Sequence, residues 1–257
     1  MKDIKPKGGI FDINLEPESI TTLTSTSGQD KGLAKPASPV SFPFPYADDF
    51  KSYSVGNQPK FFSDLEGTFE VVLDEKGTKC LEQAITRVPI RWATVYRNLS
   101  DKDCFPFTVL GDSHWTNYLV RVDVLIDEPG GEISLLGHVN AVTIPFKEVA
   151  FPGMVQLKVQ DSGQWELWKG VPGEILSIID GVFRPGQFVC LASGRVSFSK
   201  GIWHQLILSF KGSNIQAYID GSCITSVQDS NHPTSGAVGL GSGWNKAKYA
   251  NIEIKPL

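Results

Sequence analysis

The side chains in this chain best suited to chemistry are aromatic and acidic. Sugar C–H faces stack on exposed indole and phenol rings, so a saccharide site usually sets a ring beside polar groups. Trp165 and Trp168 stand near the turn Asp161-Ser162-Gly163, with Asp161 and Gln164 beside them and the two rings on opposite faces of one strand. Trp244 and Asn245 follow Gly241-Ser242-Gly243, a loop with freedom to present a ring. Trp244, Trp165, Trp168, Asp161 and Asn245 are therefore the candidate carbohydrate-binding residues. Packing in the core or at its rim is the other reading of the three tryptophans. Trp92, Trp115 and Trp203 lie inside apolar stretches and read as core. The second feature is a pair of carboxylates, Asp48 and Asp49, set between proline-broken aromatics and the first strand in FPFPYADDFKSYSVGNQPKFFSDLEGTFE, residues 42–70.

Other chemistries find little footing. His114, His138, His204 and His232 are far apart, and no pair has metal-ligand spacing. There is no Gly-x-Ser-x-Gly elbow and no Gly-x-x-x-x-Gly-Lys loop. Glu66 and Glu70 can share a strand face, where a charged sheet surface is their expected role. Cys80, Cys104, Cys190 and Cys223 match no zinc pattern and read as buried thiols, with disulfides as the alternative in an oxidising compartment. A net charge of -4 without a basic block argues against nucleic-acid binding. No apolar run approaches the ~20 residues needed to span a bilayer. The start, MKDIKPKGGIFDINLEPES, has no apolar signal-peptide core, so the chain reads either as not secreted or as a piece of a longer one. Asn98-Leu99-Ser100 is a glycosylation sequon, which makes Asn98 a candidate attachment point.

Positioning these side chains falls to strands. Residues 115–126 alternate, with Tyr118, Val120, Val122 and Val124 on one face and Leu119, Arg121, Asp123 and Leu125 on the other. Residues 132–139 are apolar enough to be buried on both faces. Val155 to Val159 and Gln164 to Trp168 flank a hairpin turn, and Trp203 to Lys211, Ile215 to Ile219 and Ser222 to Val227 follow with Gly-containing turns between them. Ala237 to Leu240 and Tyr249 to Ile254 close the chain. No long 3.6-residue apolar period occurs, so helix is minor and the pattern predicts a sandwich or barrel. Residues 1–39 differ in kind. Ile20-Thr21-Thr22-Leu23-Thr24 is strand-like, and the Lys-, Pro- and Ser-rich run after Gly28 is linker-like. The expected organisation is a strand remnant plus linker at 1–39 and a β-sandwich domain at 40–257.

Several segments carry a family resemblance. The hairpin WHQLILSFKGSNIQAYIDGS, residues 203–222, looks like that of concanavalin- and laminin-G-like jelly rolls. Residues 15–28 with Gly32, the Pro89-Ile90-Arg91-Trp92-Ala93 segment, and Gly111-Asp112-Ser113-His114-Trp115-Thr116-Asn117 with the following Arg121-Val122-Asp123-Val124 are similar, in order, to segments of the galactocerebrosidase family. The resemblance covers residues 15–257 and points to that family's carboxy-terminal lectin-like domain. It implies an all-β jelly-roll sandwich that supports recognition of a glycan or galactolipid headgroup, with a lysosomal or secreted location. The family's two catalytic glutamates lie in an upstream barrel that this chain lacks, so no hydrolysis is expected from it alone. A free-standing carbohydrate-binding or adhesion module is the alternative. The resemblance also implies a calcium site, with Asp48 and Asp49 as ligands. Lys51 stands where the family has an oxygen ligand and Ala250 where it has an aspartate, and both departures oppose calcium. The options left open are a retained calcium, a Lys51 ammonium in the cation's place beside Asp49, and no site.

Overall fold

A computed structural model describes residues 4–15, 17, 20–25, 38, 40–88, 105–140, 153–171, 174–177, 182–184, 187–231 and 233–257. Two compact units divide at Ser41, and residues 42–257 form the larger. In the smaller unit the described residues 20–25 adopt no strand. Their β-branched run supplies propensity, and propensity alone does not make a strand. Asn98, Cys104, His232 and the whole Pro89-Ile90-Arg91-Trp92-Ala93 segment used for the resemblance lie outside the described residues.

Strands in chain order are β1 (Tyr46–Asp48), β2 (Ser63–Glu66), β3 (Phe69–Leu73), β4 (Lys79–Gln83), β5 (Phe107–Leu110) and β6 (Tyr118–Ile126). They continue with β7 (Glu132–Val139), β8 (Met154–Gln160), β9 (Gln164–Val171), β10 (Glu174–Ser177), β11 (Val182–Arg184) and β12 (Gln187–Arg195). The last are β13 (His204–Lys211), β14 (Asn214–Ile219), β15 (Ser222–Gln228), β16 (Ala237–Ser242) and β17 (Ala247–Pro256). No helix occurs among the described residues, and none there could cross a membrane. One sheet runs β15-β14-β13-β6-β17-β4-β3 with β1 added to β17, and the other runs β12-β9-β8-β7-β16-β5-β2. A small β10-β11 hairpin stands apart from both. The fold is the expected all-β, two-sheet jelly-roll sandwich.

Alternation places the core. Tyr118, Val120, Val122 and Val124 of β6 are fully buried, while Leu119, Arg121 and Asp123 between them are half-buried. From the facing sheet, Ile133, Leu135, Val155, Leu157, Val159 and Leu167 join the same cluster. β7 is buried on its other face too, where Leu136 packs with Phe107, Val139 and Met154. Cys80 is buried as expected, and burial pushes its thiol up to about 12. Cys190 and Cys223 are exposed and free instead, because β12 and β15 are the edge strands of their sheets. Trp115 covers the rim as well as the core, stacking on Phe44 with ring centroids 4.5 Å apart.

The two sheets approach closely at Gly137. A Cβ built there would stand 2.4 Å from the Phe210 ring and 3.1 Å from the Tyr118 hydroxyl. Tyr118 Oη accepts a hydrogen bond from the His138 amide at 2.7 Å and donates to the Ala237 carbonyl at 3.3 Å. Burial raises its pKa, so the hydroxyl stays protonated. The His138 ring stacks on Phe210 with centroids 4.0 Å apart, and its Nδ1 and Nε2 lie 2.6 and 2.7 Å from the carbonyls of Pro233 and Thr116. Overpacking a dense core by one methyl costs about 1–3 kcal/mol. Gly137→Ala is thus expected to destabilise the domain by about that amount, read as a lower midpoint in urea with an unchanged slope; a wild-type midpoint would show that the seam has slack.

Candidate functional site

The β8-β9 hairpin positions the first group of candidates. Its turn residue Gly163 has φ +78°, and a Cβ there would meet the Val196 carbonyl oxygen at 2.1 Å. Strand alternation then sends Trp165 and Leu167 inward and Gln164, Glu166 and Trp168 outward. Trp165 is 6% exposed and belongs to the core, its ring lying against Gly194. Trp168 is half-buried on the outer face, where its indole N–H donates to Glu166 Oε2 at 2.9 Å. Gln164 Nε2 donates to Glu166 Oε1 at 3.4 Å.

Cross-strand register extends this face into a strip. Ser134 of β7, Lys158 of β8, Glu166 of β9 and Ser193 of β12 form one row. Leu136, Gln156, Trp168 and Cys190 form the next. Gln156 Nε2 donates to Ser134 Oγ at 2.9 Å, and Lys158 Nζ lies 3.3 Å from Glu132 Oε1. Burial pushes the Glu132 carboxyl above its ordinary range, while the Lys158 ammonium pulls it back. Gln156, Ser134 and Leu136 are buried in this strip, so the groups left partly exposed are the Trp168 indole, the Glu166 carboxylate, Gln164 and the Lys158 ammonium, a ring beside polar groups of the kind that holds a sugar by stacking and by its hydroxyls. Glu132, Gln156, Lys158 and Glu166 are absent from the sequence candidates. The parity of residues 164, 166 and 168 marks Glu166, but the others need the register between strands.

The remaining carbohydrate candidates have structural duties. Asp161 Oδ2 accepts from the Gly130 amide at 2.8 Å and ties two turns together. Asn245 is buried, with Oδ1 accepting from the Glu132 and Gly243 amides at 2.9 and 3.2 Å and Nδ2 donating to the Lys246 carbonyl. Trp244 is half-buried with φ +60°, in a loop whose Gly243 packs against Glu132 at one end of the strip.

The acidic pair lies on the other sheet, at β1. Asp48 Oδ2 accepts from the hydroxyls of Tyr46 and Tyr53 at 2.9 and 2.8 Å, and Oδ1 accepts from the Phe50 amide at 2.8 Å. Burial, followed by the Asp48 charge and hydrogen bond, raises the Tyr46 pKa; burial and the Asp48 hydrogen bond raise that of Tyr53. Both phenols therefore remain donors. Asp49 accepts at Oδ1 from the Lys51 amide at 3.1 Å and at Oδ2 from Lys51 Nζ at 3.0 Å. That hydrogen bond holds the Asp49 carboxyl below its ordinary range. Lys79 Nζ, reaching from β4, donates to the backbone carbonyls of Lys51 and Tyr53 at 3.0 and 2.6 Å.

These residues do not fit a calcium ion. Calcium takes six to eight oxygens. Every carboxylate oxygen of the pair already has a protein donor, Ala250 adds no side-chain oxygen, and two ammonium groups bind the oxygens of this loop. Among the described residues no group of three or more His, Cys, Asp and Glu side chains is placed to hold a metal.

The profile of the family described as "Galactocerebrosidase, C-terminal lectin domain" matches residues 64–257. The chain belongs to that family. It is 27% identical to galactocerebrosidase of Mus musculus over 254 residues and 26% identical to that of Homo sapiens over 256, each alignment covering 96% of this chain. It spans 34% of the length of each of these relatives. In fold, this lectin-like domain is similar to a carbohydrate binding module from Bacillus subtilis, with a TM-score of 0.50, 13% identity, and coverage of 76% of this chain and 95% of that one. It is equally similar to a Bacillus licheniformis β-glucanase, with a TM-score of 0.50, 12% identity, and coverage of 83% and 98%. At such identities these two likenesses concern architecture only.

The loop after β1 is expected to be independent of calcium. Adding calcium or a chelator should move the melting midpoint by less than about 1 °C, because a ligand stabilises only what it binds. Lys79→Met should destabilise by about 1.5–3 kcal/mol through loss of charge-assisted bonds to two carbonyls. A rise of several degrees on adding calcium would show that the ion displaces these internal donors.

Proposed function

We propose that this lectin-like domain binds carbohydrate on the outer face of β9, with the Trp168 ring as the stacking platform. The observation that carries this reading is the position of Trp168, half-buried on an outward-facing strand surface with its indole N–H fixed on Glu166. Ring orientation is thereby set before any ligand arrives, which lowers the ordering cost of binding. Lys158 offers a donor one row away, beside Glu166.

The ligand class follows from the family. Its relatives are named galactocerebrosidases, so the proposed ligand is the galactoside headgroup of a glycolipid. Within a full-length protein of that kind, the domain would present this headgroup to an upstream catalytic barrel. Lysosomal or extracellular residence belongs to the same proposal.

Titration with methyl β-galactoside and with galactosylceramide-containing vesicles, followed by calorimetry, tests both parts. The folded wild type should bind, and Trp168→Ala should weaken binding by about tenfold or more while leaving the melt unchanged. Undiminished binding by Trp168→Ala would reject the site. Failure of the folded wild type to bind any galactoside would reject the ligand class.

A further inference from the structure

A second concavity opens on the other sheet, where β17, still paired with β6 on one side, passes from β4 to β1 on the other. The β6-β17 register is regular from Ala247 to Ala250, shifts, and resumes at Glu253 opposite Arg121. Bulges of this kind bend a strand and re-aim its side chains. Here Asn251 adopts φ +49°, and its Nδ2 donates to Asp123 Oδ2 at 2.7 Å. Over the bulge lies an open cavity of about 550 Å³, walled by Asp48, Asp49 and Tyr53 on one side and by Arg121, Asn251 and Glu253 on the other. That volume lies in the range of small-molecule sites, roughly 300–1,000 Å³.

The charges in the wall define what it can hold. Arg121 pairs with Glu253 at 2.9 Å, and Lys255 reaches the same carboxylate at 2.5 Å. Lys51 pairs with Asp49 at 3.0 Å. Asp48 alone faces no cation; its donors are two phenols and one amide. An anion would meet Asp48, Asp49 and Glu253, while a metal ion would have to displace donors from every carboxylate oxygen of the pair. A neutral, hydroxylated ligand requires neither. Carboxylate oxygens and the Asn251 carbonyl can accept from its hydroxyls, the Arg121 guanidinium can donate to them, and the Tyr53 ring offers an apolar edge.

We infer that this cavity is a second saccharide site, which takes one neutral sugar unit and is independent of the Trp168 face. It extends the carbohydrate reading above and shares its ligand class, so its test must separate the two sites. Backbone amide spectra of the labelled domain, titrated with methyl galactoside, methyl glucoside and methyl mannoside, report both at once. At least one glycoside should shift the signals of Asp48, Arg121 and Asn251. Asn251→Gly removes the side chain but tolerates the positive φ, and Arg121→Gln keeps a donor while removing the charge. Each should weaken binding at the cavity by about tenfold without changing shifts at Gln164 to Trp168, whereas Trp168→Ala should do the reverse. Shifts at Trp168 with none at the cavity would overturn this inference and leave the first site intact. Cavity shifts produced by calcium and not by any glycoside would also overturn it. Silence at both places in a folded domain would reject both readings.

Discussion

Everything in this domain depends on how closely the two sheets approach at Gly137. Phe210 and Tyr118 occupy the volume that any side chain at this position would need, and the Tyr118 hydroxyl is bonded to the backbone of two strands of the facing sheet, β7 and β16. The contact fixes which edge of β7 looks inward. Because side chains alternate strictly along a strand, a slip of one residue would exchange the two faces. Register then passes outward from β7 to β8 and β9, so the inward place of Trp165 and the outward place of Trp168 follow from packing at the seam.

Much of this was legible in the chain itself. The alternation of β6, the two-faced burial of β7, and the hairpins β8-β9, β13-β14 and β14-β15 all follow from period-two patterns and turn residues. Strands without that signal were missed. β1, β2 and β5 are three or four residues long, too short for a period to show, and β12 mixes exposed and half-buried positions because it is an edge. Ile20 to Thr24 shows the converse, a good β composition with no strand formed. At the candidate site, Trp168 and its outward face could be read from one strand. Lys158, Gln156 and Glu132 could not, since their nearness to the ring is a property of pairing between strands.

In the Asp48-Asp49 loop, oxygens are ordered by the protein's own donors. The loop converges oxygens on positive charge. Those charges are ammonium groups on Lys51 and Lys79. An ammonium donates three hydrogen bonds and carries one charge, so it can order carbonyls without the full oxygen shell that a divalent ion needs. The two tyrosine hydroxyls do the same for Asp48.

The connectivity of β16 and β17 bears on how the domain is made. β17 lies between β6 and β4 and also carries β1, joining Ile254 to Tyr46, while β16 lies between β7 and β5. The middle of each sheet is therefore supplied by residues 237–256, and the strands they join are made much earlier. During synthesis, β4, β5, β6 and β7 must wait with unpaired edges, the condition in which nascent sheets associate with the wrong partner. Pairings of such sequence separation also slow the search for the native state, to a timescale on the order of milliseconds to seconds. For a chain built this way, assembly is a race between closure from its last strands and aggregation of its first.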